Sequence, residues 1–258
     1  MASQPSVDTA EALHRPFLLF TDKNRVEYTA NMNQEYEEKT RSAYQGDKVE
    51  DYKKHTQGFR WGRFTMWREI GIVEKAFRHY GLGAGDVVVD VPCGSGIAGE
   101  MLSRLDADIV GMDISMEMMR EARHEYDPRH ARGFVQGDFT RLPLPDGSVD
   151  AALVLGFMHR VPYEIKVASL RETARISRRC AIVSFCVDSL IQRGKRLLLN
   201  RLRPNHSSAP APMRMEDILD LCRAEGFRVR RVSKVAAPLS GEVVIWLEKP
   251  VLYAFFTE

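Results

Sequence analysis

The sequence predicts a doubly wound α/β sheet of seven strands, mostly parallel and closed by an antiparallel C-terminal hairpin. Three observations lead there. Short β-branched apolar runs alternate with amphipathic segments between Val87 and Phe185, which is the rhythm of βαβ units on a parallel sheet. The runs are nearly continuous rather than alternating, as in strands buried on both faces. Two further apolar runs follow, joined by Pro238-Leu-Ser-Gly241, a connection short enough for an antiparallel hairpin.

The elements follow in order. Residues 1–30 carry no sustained period and read as a loosely docked arm, and Asn31 to Lys54 is polar and helix-tolerant. A helix is expected from about Trp61 to Tyr80, where Phe64, Trp67, Ile70, Ile72, Val73 and Phe77 form a broad apolar face. Gly81-Leu-Gly-Ala-Gly85 ends it, since glycine accepts the left-handed backbone of a helix terminus. Val87-Val-Val-Asp-Val91 is the first strand, followed by a glycine-rich turn and a helix over about 97–105. Asp108–Asp113 is the second strand, and Ser115 is placed to cap a helix from Met116 to Tyr126. Gly133–Asp138 and Val149–Gly156 are the third and fourth strands; a helix at 163–177 leads to the fifth, Cys180–Phe185. Val187 to Pro212 breaks the pattern, being basic (Arg193, Lys195, Arg196, Arg201, Arg203) and ending in a Pro/Ser/Ala stretch. A helix at 214–225 and strands at 227–235 and 242–248 complete the sheet. Residues 1–80 are thus expected to form a helical arm over the site, and 81–258 the core with a lid-like insertion at 187–212. The apolar terminus Val251–Phe256 has two readings, a dimer contact or packing of the last strand.

Composition narrows the function. Of 258 residues 44% are hydrophobic and 28% charged, the balance of a soluble globular chain. No run of 18 apolar residues is present to span a membrane, and the polar N-terminus lacks a secretory pattern, so a cytoplasmic protein is expected. The net charge of +2 is too small to argue for nucleic acid by itself, and with no recognised RNA module no nucleic-acid partner is expected. Cys93, Cys180, Cys186 and Cys222 form no close pair, so neither a metal site nor a redox motif is expected.

The chemistry concentrates in Asp90-Val-Pro-Cys-Gly94-Ser-Gly96-Ile-Ala-Gly99. Its glycines satisfy G-x-G-x-x-G, and Asp113 lies about 20 residues on, as in a Rossmann-like dinucleotide site. Asp90 argues against a dinucleotide, because a carboxylate at the strand end repels a pyrophosphate held at the nearby helix N-terminus. A ligand carrying positive charge is attracted there instead.

These segments resemble motif I and the following motifs of class I S-adenosylmethionine-dependent methyltransferases, in their UbiE-like, or type 11, branch. Val87–Gly96 is similar to motif I, Gly111–Met119 to the segment after the second strand, and Gln136–Phe139 with Leu142–Asp150 to the third motif. Ser177-Arg-Arg-Cys180 departs from the Lys-Pro-Gly-Gly turn usual in that branch. The resemblance implies S-adenosylmethionine as cofactor and S-adenosylhomocysteine as product. It implies that Asp90 orients the methionine ammonium and that Cys93, Gly94 and Gly96 let the backbone approach. Asp113 is implied at the ribose hydroxyls, Asp138 and Phe139 at the adenine amine and ring, Ile114 and Leu142 against the adenine, and Leu155 and Gly156 at the methionine. The competing readings are a helix cap for Asp113 and a turn residue for Asp138.

For the acceptor, His159 in Gly156-Phe-Met-His-Arg160 is the candidate general base; the alternative is a polar loop residue. Arg160 is assigned to the substrate. Arg68 and Glu69 either reach the methionine carboxylate and ammonium or form a structural ion pair. Tyr52, Trp61 and Trp67 either wall the acceptor site or pack the N-terminal helices. The basic insertion reads as a solvated lid, a site for an anionic acceptor, or a peripheral membrane contact, with leucines between its arginines. The expected function is transfer of a methyl group to oxygen or nitrogen of a small, anionic or glycolipid-like acceptor, by a monomer or homodimer. The alternatives are carbon methylation of quinone type and a non-catalytic cofactor-binding protein.

Overall fold

The computed structural model describes residues 60–188, 193–194, 212–238 and 240–250, with 60 and 61 by backbone alone. The predicted arm before residue 60, most of the basic insertion and the apolar terminus lie outside the described residues. In chain order the elements are α1 (Arg60–His79), β1 (Val87–Asp90), α2 (Gly99–Ser103), β2 (Asp108–Asp113), α3 (Met116–Ala122), β3 (Ala131–Gln136) and β4 (Val149–Val154). They continue with α4 (Tyr163–Ile176), β5 (Ser177–Cys186), α5 (Met215–Ala224), β6 (Arg228–Lys234) and β7 (Glu242–Glu248).

The seven strands lie in the order β3-β2-β1-β4-β5-β7-β6. Pairs from β3 to β5 are parallel, and β7 runs antiparallel between β5 and β6. Alternation along each strand builds two cores. Val88, Ile109, Leu153, Ile182 and Val244 face Val73 and Phe77 of α1, Met101 and Leu102 of α2, and Met119 of α3. Val89, Met112, Val154, Val183 and Ile245 face Leu170 of α4, Ile218 and Leu221 of α5, and Phe139, Leu142 and Leu144. Helices thus cover both faces, and every residue of β4 is buried, which explains its largely apolar run, with Asp150 paired to Arg178.

Several predicted boundaries move, those of β3 and β5 for a local reason. Strand β3 spans 131–136 rather than 133–138: the Gly137 N–H turns back to the Asp113 carbonyl, and the Asp138 carboxylate is drawn into a turn with Thr140. Helix α3 stops at Ala122 rather than Tyr126, and α2 covers only 99–103. Strand β5 begins at Ser177, directly after α4, rather than at Cys180. Arg178 and Arg179 hold that start, pairing with Asp150 and Asp86 beside β1. The predicted Ser115 cap is present, its hydroxyl accepting from the Met118 N–H at 3.2 Å.

The ends of the basic insertion meet. Asp188 N–H donates to the Met213 carbonyl at 2.9 Å, and Met213 N–H to that of Cys186 at 3.1 Å. The insertion therefore leaves and re-enters the fold at one point, the carboxyl end of β5.

Candidate active site at the carboxyl ends of the strands

In an open parallel sheet the reversal of strand order leaves a crevice at the carboxyl ends, here where β1 lies between β2 and β4. Asp90 closes β1, 2% exposed, and its Oδ2 accepts from the Tyr126 hydroxyl at 2.5 Å. Asp113 closes β2 and is also buried. Its Oδ2 accepts from Gly94 N–H and its Oδ1 from Ser115 N–H, each at 2.9 Å. Asp113 thus ties the glycine turn to the head of α3, while each oxygen retains a lone pair for a ligand hydroxyl.

No basic side chain among the described residues makes an ion pair with either carboxylate. Burial pushes Asp90 up to about 7, against the Tyr126 hydrogen bond and with help from Asp113. Asp113 is raised as well, mainly by burial. Two desolvated acids with no basic partner among the described residues favour a cation beside them. Cys93 lies between them, buried, its thiol pushed well up by desolvation and both acids.

The glycines of the turn divide the labour. Gly94 has φ +53°, and a Cβ there meets nothing nearer than Met118 Cε at 3.6 Å. At Gly96 (φ +85°) a Cβ falls 2.8 Å from Glu125 Cβ and 2.9 Å from Ala122 Cα, and at Gly99 it falls 2.6 Å from the Glu125 carbonyl oxygen. Gly96 and Gly99 therefore serve the close approach of α2 to the end of α3.

Beyond β3, Phe139 is buried and its ring lies 5.0 Å from that of Phe157. Asp138 spends both oxygens on Thr140, at 2.8 Å to its N–H and 2.7 Å to its hydroxyl. Ile114 is half-buried, its carbonyl accepting from Gln136 Nε2 at 2.9 Å. Leu142 is clamped to α4: its N–H donates to Glu172 at 2.8 Å, and Arg175 reaches the carbonyls of Leu142 and Leu144 at 3.0 and 2.7 Å.

After β4, Leu155 packs against the α1 side of the core. Gly156 (φ +65°) donates its N–H to Ser184 Oγ at 2.9 Å. His159 is half-buried and accepts from Arg160 Nε at 3.3 Å. Burial, Arg160 and Lys166 push its imidazole down to about 4, so it is neutral at pH 7 and a weak proton acceptor.

The α1 residues separate. Arg68 Nε donates to the Val235 carbonyl at 2.6 Å, past the end of β6. Trp67 is 71% exposed, beside Phe64 on the outer side of α1. Glu69, in contrast, is half-buried and hydrogen-bonded to Ser184 of β5, with Glu242 and Arg160 nearby. Tyr52 and the Trp61 side chain lie outside the described residues. Tyr126, Phe157 and Ser184 were not singled out as site residues from the sequence; of these only Phe157, next to Gly156, carried a local signal. No group of three or more metal-ligating side chains occurs among the described residues, and no described helix is long and apolar enough to cross a membrane.

Residues 88–179 match the model of the methyltransferase domain family Methyltransf_25. The chain is 32% identical over 102 residues to a demethylmenaquinone methyltransferase of Corynebacterium kroppenstedtii, covering 40% of this chain and 42% of that protein. It is 35% identical over 118 residues to the Beutenbergia cavernae enzyme of the same name, covering 45% of each. The matched region thus spans less than half the length of these curated relatives. Among solved structures, the magnesium protoporphyrin IX methyltransferase of Synechocystis PCC 6803 with bound S-adenosylhomocysteine superposes with a TM-score of 0.68 at 19% identity, over 83% of this chain and 99% of that one. The sheet order is thus the fold of the class I S-adenosylmethionine-dependent methyltransferases, and the segment carrying the glycine turn and the strand-end acids is similar to a methyltransferase domain over residues 88–179.

Proposed function

We propose that this protein transfers a methyl group from S-adenosylmethionine to a small-molecule acceptor. The observation that carries the reading is the buried Asp90–Asp113 pair, with which no basic side chain among the described residues forms an ion pair. S-adenosylmethionine has an ammonium and a sulfonium and no phosphate, so it fits this donor set where a dinucleotide does not. In this reading Asp90 holds the ammonium, Asp113 the ribose hydroxyls, and Gly94 the close backbone approach beside Cys93. The Gly156 carbonyl borders the methionine. Phe139, Leu142 and Ile114 flank the adenine, which leaves Asp138 a turn former whose remaining lone pairs face the ring amine. The bound cofactor supplies an activated methyl group, and the protein's part is mainly to align the acceptor.

The acceptor side is then the region beyond β4, bordered by His159, Arg160 and the root of the insertion. A neutral His159 suits a hydrogen bond to the acceptor better than proton removal. The names of the relatives favour a quinol-type acceptor as a second reading, with methylation at carbon. Calorimetric titration with S-adenosylmethionine, S-adenosylhomocysteine and NADH decides the cofactor. Both sulfur compounds bind and NADH does not, and Asp113→Ala loses the binding; well-folded protein that binds neither sulfur compound rules the reading out.

A further inference from the structure

Helix α1 commits one side to the core and carries an apolar stripe on the other. Val73, Ala76 and Phe77 are fully buried against the sheet. Phe64 and Trp67, 42% and 71% exposed, point away from it with their rings 6.5 Å apart. Beside Trp67 a groove of about 310 Å³ runs along the helix past Gly71 to Lys75 and Arg78. A Cβ at Gly71 meets nothing within 4 Å, so the groove is open. From Phe64 to Arg78 the stripe is about 21 Å long.

Positive charge gathers on the same side. Arg63, Arg68, Lys75 and Arg78 of α1 are exposed. The edge strand β6 adds Arg228, Arg230, Arg231 and Lys234, all exposed, and no acid. Helix and strand form one surface. Arg68 Nε holds the Val235 carbonyl just past β6 at 2.6 Å, and farther along Arg231 and His79 flank the Trp246 ring, 5.1 and 5.7 Å from its centroid. The acids of α1 are Glu69, half-buried, and Glu74, which is held by Arg78 at 2.7 Å. Arg63, Lys75, Arg228, Arg231 and Lys234 make no ion pair among the described residues. The whole chain has a net charge of only +2, so this face concentrates the positive charge that the rest of the molecule balances.

We propose that the face formed by α1 and β6 docks on an anionic bilayer surface. Trp67 and Phe64 enter the headgroup boundary, and the surrounding lysines and arginines sit on lipid phosphates. An exposed aromatic pair in a basic surround is the composition of an interfacial anchor. The indole keeps its N–H among wet headgroups while its ring meets the acyl boundary. The helix lies on the bilayer and does not cross it, because its opposite side belongs to the core. A second copy of this chain fits the face less well, since a two-fold contact sets the same unpaired cations against each other. A single-stranded nucleic acid needs open ring faces for its bases, and Arg68 already lies over the Phe64 ring at 5.9 Å. The inference stands apart from the methyl-transfer reading, because the surface needs no cofactor.

Cosedimentation of the full chain with lipid vesicles tests it. Vesicles of phosphatidylcholine with about one-third phosphatidylglycerol should pellet the protein at about 0.1 M salt, pure phosphatidylcholine far less, and about 0.5 M salt should release it. Trp67→Ala and Phe64→Ala should each lower the partition coefficient roughly tenfold. Arg63→Glu combined with Lys75→Glu should lower it by roughly 30-fold or more. All of these side chains are exposed, so the melting temperatures should stay at the wild-type value, which separates a lost surface from a lost fold. Protein that does not pellet with the anionic vesicles overturns the proposal. Pelleting that none of the substitutions weakens overturns it too, and places the membrane contact elsewhere on the chain. Substitutions that change the mass at sedimentation equilibrium, without vesicle binding, make the face a contact between copies. Binding of an oligouridine that the same substitutions abolish, again without vesicle binding, makes it a nucleic-acid surface. Either result refutes the bilayer as occupant.

Discussion

The Tyr126 hydroxyl donates to Asp90 Oδ2 at 2.5 Å, joining the segment after α3 to the end of β1 across 36 residues of chain. Both groups are buried, and Tyr126 is 3% exposed. The bond favours the ionised carboxylate against the desolvation that opposes it. Tyr126→Phe therefore raises the Asp90 pKa further and weakens S-adenosylmethionine binding at pH 7 by roughly 5- to 20-fold, the equivalent of about 1–2 kcal/mol. The deficit shrinks at higher pH, where Asp90 ionises without the tyrosine. Calorimetry at two pH values checks it, and a deficit that does not change with pH counts against the assignment.

Unliganded protein loses stability as pH rises. Burial lifts Asp90 from 3.8 and Glu69 from 4.5 to about 7 in the folded state. The folded chain then holds protons that the unfolded chain releases. This stabilisation is complete below about pH 4 and disappears as pH climbs through about 7. Melting temperature measured from about pH 5 to 8 should fall, less steeply in Asp90→Asn or with S-adenosylmethionine bound, whose charge supports the ionised form. A melting temperature that climbs over this range, equally with and without the cofactor, contradicts the assignment.

In the proposed site Asp90 ionises to pair with the ammonium, so cofactor binding should release a proton near neutrality for the same reason. Affinity for S-adenosylmethionine should drop by up to about tenfold per unit of pH below 7. Titration in two buffers of different ionisation heat counts the released proton directly. Identical heats in both exclude the coupling.

The glycine turn gives a contrast. Gly96→Ala forces a Cβ to within 3 Å of Glu125 Cβ and Ala122 Cα, at a positive φ, and should cost about 2–4 kcal/mol of stability. Gly94→Ala has room and should cost about 1 kcal/mol, with its main effect on cofactor affinity. Denaturant unfolding ranks the two; the reverse order refutes the division of roles.

Arg175 ties the loop after β3 to α4 through the Leu142 and Leu144 carbonyls, Glu172 and Asp146. Arg175→Ala strands two carbonyls and a buried glutamate, and should destabilise the fold by about 2–4 kcal/mol. Because Leu142 flanks the adenine in the proposed site, S-adenosylmethionine affinity should fall in parallel. A variant with full affinity and lowered stability separates the clamp from the site.

The sequence by itself determined the sheet and the line of its carboxyl ends. Buried parallel strands need continuous apolar runs, so Val87–Val89, the β4 run and the β7 run announce themselves locally. Asp90, Gly94, Asp113 and Gly156 are legible because each immediately follows or closes such a run. Boundaries failed where a side chain intervened: Asp138 turned onto Thr140 and shortened β3, and Arg178 and Arg179 anchored an earlier start to β5. Only the tertiary structure decided which side chains meet. Tyr126 reaches Asp90, Glu69 reaches Ser184, and Gly96 yields to Glu125 through contacts between elements far apart in the chain. Such contacts depend on how helices lie on a twisted sheet, and no periodicity in the sequence encodes that placement.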